Sequence, residues 1–199
     1  MFYARRPSDS RLVSLLVEAR ERTPSYTEVG ATSGDAFPTG YRHDTDELVV
    51  GQGRDVFDRA VTAVRSWQAQ IGAGLEVVPE REEVAKGQTV LLLIRALGLW
   101  TVAPCRVVYT VEDIDSYRFA YATLPGHPER GEASFAVTRS AHDGVVFRVA
   151  SFSRPASPLA RLGRPVSRRL QRQVTIRYLD AIAAAVNHSQ AAPVFRNDR

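Results

Sequence analysis

Residues 116–138 read SYRFAYATLPGHPERGEASFAVT. Aromatic and small apolar residues dominate both ends of this stretch, which predicts strands over Tyr117 to Leu124 and Glu132 to Arg139. Pro125, Gly126, His127, Pro128, Glu129, Arg130 and Gly131 lie between them. Two prolines fix φ and two glycines admit backbone paths closed to other residues, so the link is tight and rigid. A link this short joins antiparallel strands, because a parallel crossover needs a dozen or more residues. The loop carries His127, Glu129 and Glu132 on a fixed path. An imidazole beside a carboxylate is the pairing that works as acid and base near neutral pH. These three are the candidate catalytic residues.

The same pattern extends outward. Leu75 to Pro79, Gly87 to Leu97, Leu99 to Val111 and Val145 to Ser153 also read as strands, with turns at 112–115 and at Ala141-His142-Asp143-Gly144. Upstream, a helix over Asp9 to Arg20, in an extension of about 8–22, carries Leu12, Leu15, Leu16 and Ala19 on one face, with Ser8 as N-cap. Tyr26 to Gly34 is irregular. A strand lies within Tyr41 to Val50. Gly51-Gln52-Gly53 then turns into one helix from Asp55 to Gly72, with Phe57, Ala60, Val61, Val64, Trp67 and Ile71 along its apolar face.

Downstream, Ser157-Pro158 has the form of a helix start. A long helix over Val166 to Val186 carries a stripe of Val166, Leu170, Val174, Tyr178, Ile182 and then Ala185 or Val186. A sheet must bury its apolar face against something. The expected fold is therefore α+β: a curved antiparallel sheet of about six or seven strands wrapped on the C-terminal helix. A single domain over 1–187 and a loose tail over 188–199 follow.

The composition excludes several classes. The chain has 199 residues, 44% of them hydrophobic and 24% charged, with a net charge of +4. No apolar run approaches the roughly 20 residues of a membrane span, and the start lacks a signal-peptide pattern; the expectation is a cytoplasmic protein. Cys105 is the only cysteine, so neither an internal disulfide nor a cysteine-rich zinc site can form. His127-x-Glu129 has the spacing of a zinc-deaminase pair, but the two later cysteines of that pattern are missing. No metal and no cofactor is expected. Oligomeric state is not written in the sequence. No acidic residue stands between Gly144 and Leu179, where eight arginines do. That segment is either the solvated face of a helix or a basic interaction module. The strand aromatics lie in tight apolar runs rather than among basic residues, so nucleic acid is not expected as a partner.

Several pieces together resemble a known family. They are Tyr26-x-x-x-Gly30, Gly51-x-Gly53-x-x-x-Phe57-x-x-Ala60, Trp67, Cys105-Arg106-Val107-Val108, Tyr121-x-Thr123-Leu124-Pro125-Gly126-His127-x-Glu129-x-Gly131-Glu132 and Ser151-Phe152-Ser153-Arg154-Pro155. The chain resembles the DUF1990 (UPF0548-like) family of plants and bacteria across nearly its whole length. That family is similar to the START and Bet v 1-like (SRPBCC) helix-grip proteins, most of which bind apolar small molecules or cyclise them. The resemblance brings no catalytic residues. It implies an apolar or aromatic small molecule held between sheet and C-terminal helix. The candidate ligand contacts are Tyr109, Phe119, Tyr121, Thr123, Arg106, Arg148, Ser153 and Tyr178. A cyclase or lyase using the same space, with His127 and a carboxylate as acid and base, is the alternative. Glu132 is expected to pair with a strand arginine, Arg106 or Arg148.

Overall fold

The computed structural model describes residues 1–34, 36–156 and 164–188, with side chains in the last segment for 172–187. Its strands are β1 (Phe2–Tyr3), β2 (Arg42–Gln52), β3 (Glu76–Pro79), β4 (Thr89–Ala96), β5 (Leu99–Asp113), β6 (Ser116–Thr123), β7 (Glu129–Arg139) and β8 (Gly144–Pro155). They form one antiparallel sheet in the order β2-β8-β7-β6-β5-β4-β3. The two-residue β1, too short to leave a pattern in the sequence, adds to the start of β5, which β6 does not reach. The helices are α1 (Asp9–Arg20), α2 (Arg54–Arg65), α3 (Gln68–Gly72) and α4 (Arg164–His188).

The sheet curves around α4, which is the helix-grip arrangement. Tyr178, Ile182 and Val186 follow one another at i+4 and are buried against Phe119, Phe135, Val137 and Phe147. Val174 packs at the edge of this core. The side chains of Val166 and Leu170, and the expected Ser157-Pro158 helix start, lie outside the described residues. β4 shows how one strand serves two layers. Val90 and Leu92 enter the concave core, while Leu91 and Leu93 lie under Leu12, Leu15, Leu16 and Ala19 of α1 on the convex face. A strand covered on both sides reads as a continuous apolar run rather than an alternating one. Ser8 caps α1 as expected, its Oγ accepting from the Arg11 N–H at 3.3 Å.

The single helix expected from Asp55 to Gly72 is two helices. Trp67 adopts a left-handed conformation at φ 61° and separates α2 from α3. That conformation strains an L-residue, and burying the whole indole offsets the strain. The break aims α3 at α4, close enough that a Cβ on Gly72 would stand 2.6 Å from the Ala181 Cβ. It also rotates the inward face, so that Gln70 is fully buried and Ile71 is 47% exposed.

The convex face of β6–β8 is crossed by the chain segment 26–41. Tyr26, Phe37 and Tyr41 surround Phe152 with ring centroids 5.0–5.9 Å apart. A β-bulge interrupts the β5–β6 pairing between Val107 and Tyr109.

Candidate functional site

The Pro125-to-Glu132 loop is held by backbone geometry that only glycine allows at one point. Gly131 has φ 151°, and a Cβ there would stand 1.9 Å from the Phe152 carbonyl oxygen. The next residue, Glu132, is buried at 3% exposure. Its carboxylate accepts from the Tyr26 hydroxyl, the Gly30 N–H at 2.6 Å, the Thr32 N–H at 2.9 Å and the Thr32 hydroxyl. The Tyr26-x-x-x-Gly30 and Gly131-Glu132 pieces of the sequence thus meet at one carboxylate, which pins the 26–34 segment onto the sheet. Burial, and then the hydrogen bond to Glu132, hold the Tyr26 hydroxyl well above the usual tyrosine pKa.

This corrects the expected Glu132–arginine pair. Arg106 caps a helix instead: its Nη2 donates to the Ala19 and Arg20 carbonyls at 3.0 and 2.9 Å, and its Nε to Thr89 Oγ1 at 3.0 Å. Those carbonyls end α1, where free acceptors and the negative helix end favour a cation. Arg148 is exposed on the convex face and makes no ion pair among the described residues.

His127 is half-buried in the loop. Its Nδ1 accepts from the Glu129 N–H at 2.9 Å. The same nitrogen lies 3.0 Å from the Glu129 carbonyl, so it faces both a backbone donor and a backbone acceptor of Glu129. Burial pushes its pKa down to about 4, against the Glu129 carbonyl 3.0 Å away, which favours the protonated ring. In this setting the imidazole shapes the loop and titrates well below neutrality.

The candidate ligand contacts are not gathered in one place. Phe119, Tyr121 and Tyr178 lie in the concave core. The Tyr109 hydroxyl is bonded at 2.8 Å to Thr32 Oγ1 on the convex side. Thr123 ties the end of β6 to the motif loop, accepting from the Gly131 N–H at 3.0 Å and pairing with the Ser25 hydroxyl at 2.8 Å. Ser153 stands in register between Gly131 and Arg42.

The concave core holds polar groups that the sequence did not single out. Phe119 stacks on Phe135 at 5.1 Å, and Trp67, Tyr121 and Tyr178 meet this pair at 5.4–6.3 Å. Gln70 lies beside the Tyr121 hydroxyl, but neither of its carboxamide atoms, nor the indole N–H of Trp67, makes a well-formed hydrogen bond among the described residues. Burial first, and the neighbouring Tyr178 second, raise the Tyr121 hydroxyl far above its ordinary pKa, while Gln70 acts in the opposite sense. Tyr178 is raised by burial as well. Burial likewise pushes up the Cys105 thiol, which removes it as a nucleophile. A buried polar group without a partner costs about 1–3 kcal/mol, so an orphaned carboxamide in an aromatic interior is a feature that folding alone does not favour. A hint of it stands in the sequence, where Gln70 follows Trp67 by the i+3 step of the helix stripe.

A match to the family described as "Domain of unknown function (DUF1990)" spans residues 25–181. The chain belongs to the DUF1990 family. A UPF0548 protein of Deinococcus radiodurans is 32% identical over 197 residues, covering 93% of this chain and 98% of the relative. Among solved structures, TTHA0849 of Thermus thermophilus superposes with a TM-score of 0.57 at 13% identity, covering 75% of this chain and 100% of that one. The Zhui aromatase/cyclase from Streptomyces sp. R1128 does so with a TM-score of 0.52 at 16% identity, covering 76% and 97%. At such identities these two likenesses establish the DUF1990 chain's fold. No helix among the described residues is long and apolar enough to cross a membrane.

Proposed function

We propose that this DUF1990 protein binds an apolar or aromatic small molecule between the sheet and α4, and that the polar end of the molecule meets Gln70. The observation that carries this reading is the Gln70 carboxamide, fully buried beside the Tyr121 hydroxyl with neither atom in a well-formed hydrogen bond among the described residues. The Trp67 indole N–H and the Tyr121 and Tyr178 hydroxyls supply further polar handles in the same aromatic interior. A pocket lined by rings with a few convergent polar groups is the usual form of a small-molecule site. A carboxamide offers both a donor and an acceptor, which suits a ligand bearing a hydroxyl, carbonyl or amide. The aromatase/cyclase neighbour shares the fold, and the proposal rests on Gln70 rather than on that likeness.

The test is a native mass spectrum of the purified chain, followed by the variants Gln70→Met and Tyr121→Phe. The wild type is expected to carry a small molecule that Gln70→Met loses. Gln70→Met keeps the size of the side chain and removes the orphaned amide, so its stability should match or exceed that of the wild type. A Gln70→Met protein that is less stable and retains the same ligand would defeat the reading.

A further inference from the structure

The convex face carries a concavity, on the far side of the sheet from α4. It is a cleft of about 560 Å³ among β2, β8, β7 and β6, roofed by Thr32 and Phe37 of the pinned segment. The sheet register gives it an ordered floor. Arg118 on β6 stands opposite Ala136 on β7, and Ala136 stands opposite Arg148 on β8. Two guanidinium-bearing residues therefore flank one alanine across three strands. Two strand spacings, roughly 10 Å, separate their backbones. Ser134 and Ala150, one step along, continue the floor with small side chains.

No ion pair among the described residues ties up the charges of the cleft. Arg118 donates one N–H to the Ser33 carbonyl at 3.2 Å, which fixes its position and leaves its other donors available. Neither arginine makes an ion pair among the described residues. Glu47 on β2 stands directly across from Arg148 in register, and no ion pair joins them. The roof is positioned independently of any ligand, through the bonds that Thr32 makes to Glu132 and to Tyr109. A volume of this size matches pockets for small organic molecules. Guanidinium groups match the planar or tetrahedral oxygens of carboxylates and phosphates.

We propose that this cleft binds a small organic oxyanion, a carboxylate or a phosphate ester. Arg118 and Arg148 close on the charged group from two sides, and the body of the ligand lies beneath Phe37. Glu47 at the rim repels a second negative group, so the site selects a ligand with one anionic end.

The experiment is an amide-resolved NMR titration of the full chain at low ionic strength with benzoate, phenyl phosphate and inorganic phosphate as separate probes. Benzoate or phenyl phosphate is expected to shift the amides of Ser134, Ala136 and Ala150 and to saturate at millimolar concentration. Arg118→Gln and Arg148→Gln should each weaken that binding about tenfold, with melting unchanged. Arg95→Gln, on exposed β4 surface, should leave it as it is. The proposal is overturned if neither organic probe saturates. It is overturned too if inorganic phosphate alone binds, or if the two cleft variants behave like Arg95→Gln.

Discussion

Phe135 and Ala136 are neighbours on β7 and face opposite sides of the same sheet. Phe135 lies in a wall of rings closed by α4, fully buried and stacked on Phe119. Ala136 lies on a floor of small residues between two arginines, beneath a loop. The first side is held by area removed from water. The second is held by a few bonds to one buried carboxylate. Where a fold rests on burial, a polar group such as Gln70 marks an exception to be explained by function. Where it rests on hydrogen bonds, the charges left unpaired are the informative ones.

That contrast predicts different responses to mutation. Phe135→Ala should cost about 3–5 kcal/mol, the usual range for a buried aromatic, whereas Arg118→Gln should change stability by less than about 0.5 kcal/mol. Equal costs in a denaturant melt would erase the distinction. Glu132→Gln places an NH₂ among groups that only donate or already donate, and should cost about 3 kcal/mol. Hydrogen exchange should then accelerate at the Gly30 and Thr32 amides more than in the concave core. Unaltered exchange there would mean that the aromatics around Phe152, and not the carboxylate, hold the roof.

A smaller effect comes from His127. Its folded pKa of about 4 lies below the ordinary value of 6.5. Between these values the unfolded chain binds the proton and the folded one does not, so stability is complete above about pH 6.5 and declines as pH falls toward 4. After discounting for the partial exposure of the loop, the loss is about 2 kcal/mol. His127→Asn keeps an acceptor for the Glu129 N–H and should flatten this part of the pH–stability curve; an unchanged slope would show that other groups produce it. The smallest change belongs to neither face. Leu97 sits at the β4–β5 hairpin tip with φ 52° and 80% exposure, and Leu97→Asn should raise stability by about 0.5–1 kcal/mol. A lowered melting temperature would argue against the left-handed tip.

Much of this architecture is legible in the residues. The strands stand out because short links and turn residues separate runs of Val, Leu, Tyr and Phe. The C-terminal helix stands out because Tyr178, Ile182 and Val186 repeat at i+4. The roof over the convex face does not, since 26–41 has no period and its partner Glu132 lies about a hundred residues onward. An arginine partner for Glu132 is the natural expectation because strands lie near strands; nothing local announces backbone donors from a distant loop. Gln70 is no more than hinted at in the sequence, by its i+3 step from Trp67, because no local signal announces the left-handed break at Trp67 that turns it inward.

The bulge in β5 has a consequence for how relatives of this chain should be aligned. Cys105 and Val107 face the concave core, and unbroken alternation would send Tyr109 after them. One extra residue at Val108 inverts that order, and Tyr109 instead reaches Thr32 over the convex face. Because side chains alternate with a period of two, chain length here works like a reading frame. A relative without the residue at Val108 would run an unbroken ladder, Tyr109 following Val107 directly and still opposite Ala120, so the tyrosine would keep its convex face. In a homologue, the cross-strand partner of a tyrosine, here Ala120 for Tyr109, therefore says which face it serves, and a count of alternating positions from Cys105 does not.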